Sequence, residues 1–229
     1  MKAVALNNTT YKFLRDLKKN NNRPWFNEHK DRYTTAHENV LEFTEELITL
    51  MNKYDQLVPR SPKQTLFRIY RDTRFSKDKT PYKNHFSGGF KRDTKWLRGG
   101  YYFHLEPGNN FVAGGFWGPN SADLQRIRQE IAADDQPLRK ILASKSFKDT
   151  FGTLIGDQVK TAPKGYPRDH PSIDLLRFKQ LIVRHDFTNK QAMEPGFAKE
   201  MVKVFRKMRP YFDYMSEVLT TDSNGVPIE

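Results

Sequence analysis

The sequence predicts an α+β fold: a mostly antiparallel, curved sheet flanked by N-terminal and C-terminal amphipathic helices. Three observations carry this. The first third of the chain places apolar residues at helical spacing. The middle third alternates apolar and polar residues between clusters of turn formers. The last third returns to helical spacing, and helices at both ends of such a sheet layer against it to cover their stripes.

Taken in chain order, a short helix from Tyr11 to Lys19 ends at Asn20, Asn21 and Asn22. A long helix follows, in which Tyr33, Ala36, Val40, Phe43, Leu47, Leu50 and Tyr54 fall on one stripe. Asn27 is its expected cap, Glu28 suits the dipole in the first turn, and Pro59 and Pro62 end it near 55–59. Strands are expected over Thr65–Tyr70 and Phe86–Lys91. A hairpin of Gly99–Glu106 and Phe111–Trp117 turns at Pro107, Gly108, Asn109 and Asn110. Gly88-Gly89, Gly99-Gly100 and Gly114-Gly115 weaken these strands, and bulges that curve the sheet are the expected reason, ahead of close approach by a ligand. Ser121 then caps a helix carrying Leu124, Ile127 and Ile131, and a second holds Leu138, Ile141 and Leu142. A short strand over Gln158–Ala162, a proline-rich loop and a strand over Phe178–His185 follow. Phe197, Met201, Val204, Met208, Phe212 and Met215 mark a last helix, kinked or split by Pro210, with the methionines read as core. Residues 1–229 read as one domain, with a core over about 10–219 and a frayed tail over 220–229.

Composition narrows the chemistry. No cysteine is present, which excludes disulfides, thiolate metal sites and a cysteine nucleophile. Lys and Arg number 39 against 27 Asp and Glu, and the net charge of +12 attracts phosphates, nucleic acid or an anionic surface. Met1–Thr10 holds no apolar core of signal-peptide length, and no apolar run reaches the roughly 20 residues that cross a bilayer. A cytoplasmic protein without membrane insertion is expected.

Three segments could carry function. From Arg68 to Lys83, cations outnumber carboxylates, and Arg68, Arg71, Arg74, Lys79 and Lys83 are the candidate anion-binding residues, with Tyr70 in support. The competing reading is an internal network in which Asp72 and Asp78 hold the loop. In the strand from Gly99, Tyr102, His104 and Glu106 share one face. His104 is the candidate acid or base, Glu106 would stabilise its imidazolium, and Tyr102 supports them. If the Arg68–Tyr70 strand lies alongside, five polar groups line one wall. One His and one Glu do not define a metal site, so neither metal nor cofactor is expected. In the stiff loop after Pro163, Arg168, His170 and Arg177 are supporting candidates, against the reading of a rigid connector.

These segments, together with Gly115, Trp117 and Pro119, resemble the shared motifs of a bacterial and fungal family catalogued as a domain of unknown function, number twenty-four sixty-one. The longest motif is the Arg-Ile-Tyr-Arg-Asp-Thr-Arg-Phe-Ser-Lys-Asp-Lys-Thr-Pro-Tyr-Lys run from Arg68 to Lys83. The likeness covers about Thr10 to Leu219. It implies one full-length domain and no activity, cofactor or catalytic residue. The residues place a pocket for a phosphate- or carboxylate-bearing small molecule first, with acid–base chemistry at His104 left open. A nucleic-acid-binding module and a non-catalytic interaction protein are the alternatives. Whether the protein is an enzyme, and its oligomeric state, stay open at this point.

Overall fold

The first helix, α1 (Asn8–Lys19), closes with Lys18 and Lys19 in its last turn, where cations complement the helix dipole. The computed structural model describes residues 3–222 and 225–228. The next cap is Asn22 and not Asn27: its side chain accepts from the Trp25 backbone N–H and starts α2 (Arg23–Glu28). Pro24 explains the shift, because proline is tolerated only in a first turn and the helix must begin beside it. The chain breaks at His29 and continues as α3 (Lys30–Met51), which buries Ala36, Val40, Phe43 and Leu47. Tyr54 lies past its end and is exposed, so the expected stripe loses its last member.

The strand expected over Thr65–Tyr70 does not form. Ser61 and Gln64 make a reciprocal capping box that draws the chain into α4 (Pro62–Thr65). Beyond it only two isolated bridges remain, Leu66 to Gly88 and Tyr70 to Tyr82. The sheet is open and antiparallel, in the order β1 (Phe86–Lys91), β2 (Gly100–Leu105), β3 (Asn110–Phe116), β4 (Leu181–Phe187). The hairpin of β2 and β3 turns where the residues require it, with Asn109 N–H donating to Glu106 O at 2.9 Å. Phe178 makes a single bridge to Gln158, so β4 starts later than expected and the short strand over 158–162 is absent.

Seven helices complete the α+β fold: α5 (Ser121–Ala133), α6 (Gln136–Ala143), α7 (Lys145–Phe151), α8 (Ile173–Leu176), α9 (Asn189–Met193), α10 (Phe197–Lys207) and α11 (Arg209–Thr220). Asn120 caps α5, one residue before the expected Ser121. α10 and α11 part at Met208, since Pro210 fits only the first turn of a new helix. Met201, Met208 and Met215 are core residues. The described part of the C-terminal segment is not frayed: Ile228 N–H donates to Thr220 O, and Thr221 bridges Pro227. Ser223, Asn224 and Glu229 lie outside the described residues. Among the described residues no helix is long and apolar enough to cross a membrane.

The chain divides into two compact units, and the division falls within every strand. The first holds Met1–Phe90, Tyr102–Val112 and Asp186–Lys203. Its core stacks Phe26 on Tyr82 at 3.9 Å and packs Phe197 against Phe43 and Phe187. The second holds Lys91–Tyr101, Ala113–His185 and Val204–Glu229. There Tyr101 packs on Phe205 and Phe212. In this unit Arg92, fully buried, reaches Asp213 at 2.7 Å and the carbonyl of Arg98 at 3.1 Å.

The strand glycines serve close packing. A Cβ on Gly88 would stand 2.7 Å from the Phe103 ring, and one on Gly114 would stand 2.9 Å from Phe212. Gly115 has φ +136°, and its Cβ would collide with the Leu181 carbonyl and stand 2.9 Å from Ile182 Cα in β4. Neighbouring protein atoms therefore occupy the space these glycines leave.

Candidate functional site

Alternation along β2 sends Tyr101, Phe103 and Leu105 into the core and puts Tyr102, His104 and Glu106 on the other side. His104 and Glu106 are themselves only 7% and 9% exposed. The His104 imidazole bridges its neighbours. Its Nδ1 lies 2.9 Å from Tyr102 Oη, and its Nε2 lies 3.1 Å from Glu106 Oε2. One ring face stacks on Phe111 at 4.6 Å, and the His85 ring is tilted against it at 4.0 Å.

Glu106 sits at the head of the hairpin turn and collects donors. Oε1 accepts from Asn84 Nδ2 at 2.7 Å and from Lys18 Nζ at 3.3 Å, while Oε2 accepts from Asn109 Nδ2 at 3.1 Å. Burial pushes its carboxyl up, but the hydrogen bonds from Asn109, His104 and Lys18 outweigh burial and hold it below its ordinary value. His85 is the reverse case. Burial, reinforced by the His104 ring beside it, pulls its imidazole down to about 4, so it is neutral at pH 7. The His85 ring nitrogens make no hydrogen bond to any described residue.

The turn is clamped from two distant helices. Tyr11 Oη on α1 donates to Asn110 Oδ1, which also accepts from the Glu106 backbone N–H. Asn189 Oδ1 on α9 accepts from Asn110 Nδ2 at 2.9 Å and from Gly108 N–H at 2.7 Å.

The basic loop is organised by its own carboxylates. Arg71 Nη1 donates to Asp78 and to both oxygens of Thr80. The Asp78 carboxyl is held down at about 2, first by the Thr80 backbone N–H and then by Arg71. Arg74 forks onto Asp72 at the surface. Lys79 Nζ donates to Thr73 O at 2.9 Å, and Lys83 Nζ donates to Arg68 O at 2.8 Å.

Beside the loop lies a cleft of about 430 Å³. Lys18, Arg71 and Lys83 bring cations to it, Asp78 brings a carboxylate, and Asn84 and His85 complete the side nearest Glu106. Arg71 and Lys83 therefore share a cleft, and His104 and Glu106 stand next to three of its lining residues, Lys18, Asn84 and His85. Arg68, Arg74 and Lys79 are exposed and do not line it. The five-group wall does not form, because Leu66 bridges Gly88 in β1 and Tyr70 bridges Tyr82 ahead of it, and neither pairs with β2. Phe67, and not Arg68, stacks on Tyr102 at 6.2 Å. Tyr70 is exposed, with its ring beside Tyr82.

Arg168, His170 and Arg177 belong to the second unit. Arg168 is exposed. His170 Nδ1 accepts from the Ser172 backbone N–H at 3.0 Å, and Arg177 Nε donates to Val159 O at 2.9 Å. The residues that sequence reasoning missed are Lys18, Asn84 and His85. The only local signal for the last two was their place just ahead of β1.

The chain matches no curated protein and no solved structure. It does match the family described as conserved hypothetical protein (DUF2461) over residues 9–214, which takes in the loop, the hairpin and the Glu106 turn. A match of that extent makes the chain a member of the DUF2461 family of conserved hypothetical proteins.

Proposed function

We propose that the cleft binds an anionic small molecule bearing a phosphate or carboxylate, with His104 and Glu106 beside it for proton transfer. One observation carries the reading: Lys18, Arg71 and Lys83 converge on a space that holds a single opposing carboxylate, Asp78. The volume suits a small ligand. Arg71 has a side chain only 25% exposed and is already fixed through Nη1. Its Nη2 has only a 3.5 Å contact with Ser76 Oγ, which leaves a donor edge for a ligand oxygen. Ordering the guanidinium in advance lowers the entropy cost of binding. With Nε2 turned to Glu106, His104 would accept a proton at Nδ1 from the Tyr102 hydroxyl, which would take one from the ligand in turn, and the imidazolium would stand against Glu106.

The test is calorimetric titration with inorganic phosphate, pyrophosphate and citrate against the wild type, Arg71→Gln and Lys83→Gln. One ligand should saturate the wild type, and Arg71→Gln should lose it with little change in melting temperature. Unchanged affinity in Arg71→Gln refutes the reading. The nucleic-acid alternative draws on Tyr70 and on Phe75, which is 96% exposed in the basic loop. Oligonucleotide binding that falls steeply with salt, with no small-ligand saturation, would replace the pocket by that surface.

A further inference from the structure

We propose that His85, His104 and Glu106 form a binding site for a divalent transition-metal ion of the Zn2+ class. The site rests on these three residues and not on Arg71 or Lys83, and with an ion bound His104 is a ligand and no longer the base proposed above.

The three side chains each offer one ligand atom, and these atoms lie within 4.8 Å of one another. Ligands at about 2.0 to 2.2 Å from one ion stand roughly 3.0 to 3.5 Å apart. His104 Nε2 and Glu106 Oε2 already meet that spacing at 3.1 Å. Only the His85 ring must swing inward, by roughly 1.3 to 1.8 Å, to bring 4.8 Å down to that spacing. It is half-buried and makes no hydrogen bond to a described residue, so the movement breaks none. A neutral imidazole is the ligating form of a histidine.

The surrounding groups are those a metal site needs. A ligating histidine is normally oriented through its other nitrogen, and Tyr102 Oη occupies that position on His104 Nδ1. The Glu106 carboxylate is aimed by Asn84, Asn109 and Lys18. Lys18 and Asn84 hold Oε1, while Oε2 accepts only from Asn109 Nδ2 on its far side and turns its other lone pair to His104, where the ion would sit. Two imidazoles and one carboxylate suit Zn2+, Co2+, Mn2+ or Fe2+, whereas Mg2+ and Ca2+ prefer oxygen alone. Three protein ligands leave at least one position open, and His85 is the one of the three that lines the cleft.

The test uses the full chain, stripped with a chelator and titrated with Zn2+ in a non-coordinating buffer free of phosphate and carboxylates. Wild type should take up one equivalent saturably, and Co2+ should give a visible absorption band. His85→Ala and Glu106→Gln should each weaken binding at least tenfold, with Mg2+ giving no saturation. His85→Ala is the deciding variant if Glu106→Gln unfolds, because the His85 ring holds no hydrogen bond that folding needs. Arg71→Gln should retain zinc, so this site and the anion cleft can fail separately. The absence of saturable uptake overturns the proposal. So does uptake that survives both ligand substitutions, because the zinc then sits on other histidines such as His29 or His37.

Discussion

Gly115→Ala puts a methyl group where β3 passes the β4 backbone, and its cost can be worked out in two parts. Gly115 adopts φ +136°, beyond the left-handed helical region and nearly reserved to glycine, a conformation that costs an L-residue about 1 to 3 kcal/mol. The added Cβ also meets the Leu181 carbonyl and Ile182 Cα, which are main-chain atoms unable to rotate away. Forced overpacking of this kind costs about 1 to 3 kcal/mol. The sum is about 4 kcal/mol, a large share of the roughly 5 to 15 kcal/mol that holds a domain folded. At about 2 to 4 °C per kcal/mol for a chain of this size, the melting temperature should fall by about 8 to 16 °C. Gly152 supplies the control. Its φ is also positive, at +69°, but nothing lies within 4 Å of its Cβ position. Gly152→Ala should therefore lose only the backbone part, about 1 kcal/mol. Thermal and urea unfolding followed by circular dichroism would measure both. If the two variants melt within about 3 °C of each other, the close approach of β3 and β4 is not what requires glycine at 115.

Other expectations concern charge. The Asp78 carboxyl, held near 2 by Thr80 and Arg71, should stay ionised well into acid. Because its folded pKa is depressed, the loop contact is fully present above the ordinary value of 3.8 and is lost only as pH falls through about 2. A carboxyl-carbon NMR titration with a midpoint near 4 would contradict the pairing. Asp78→Asn should raise the affinity of the cleft for phosphate several-fold by removing its one opposing charge, and calorimetry showing a clear loss would count against the anion reading. Arg92→Met removes a buried cation but leaves Asp213, half-exposed, able to return to water. The loss should therefore fall below the roughly 3 to 5 kcal/mol of a broken buried pair, at about 2 kcal/mol by urea unfolding.

What could be read from residues alone was what short-range physics decides. The α3 stripe, the β2–β3 hairpin, the break near Pro210 and the shared face of Tyr102, His104 and Glu106 each follow from spacing or from one residue type. Competition between neighbouring signals hid the rest. Pro24 pulled a helix start forward to Asn22, and the Ser61–Gln64 box turned an expected strand entry into α4. The basic loop contained its own answer in Asp72 and Asp78, but only folding assigned them to Arg74 and Arg71. Lys18 and His85 reach the Glu106 neighbourhood from elements 88 and about 20 residues away, and no periodicity connects such positions.

The double clamp on the hairpin turn has a consequence for how the molecule assembles. The turn itself is local and can close as soon as residues 100–116 exist. Its anchors, however, lie 99 residues upstream at Tyr11 and 79 residues downstream at Asn189. Joining such distant positions carries an entropic toll that short-range pairing escapes, and long-separation contacts form slowly. A nascent chain released before position 189 would carry a closed ribbon with its head unfastened. In a refolding time course the β-sheet signal should therefore return first, and the Glu106 environment should regain its native arrangement only when both ends of the polypeptide have come home.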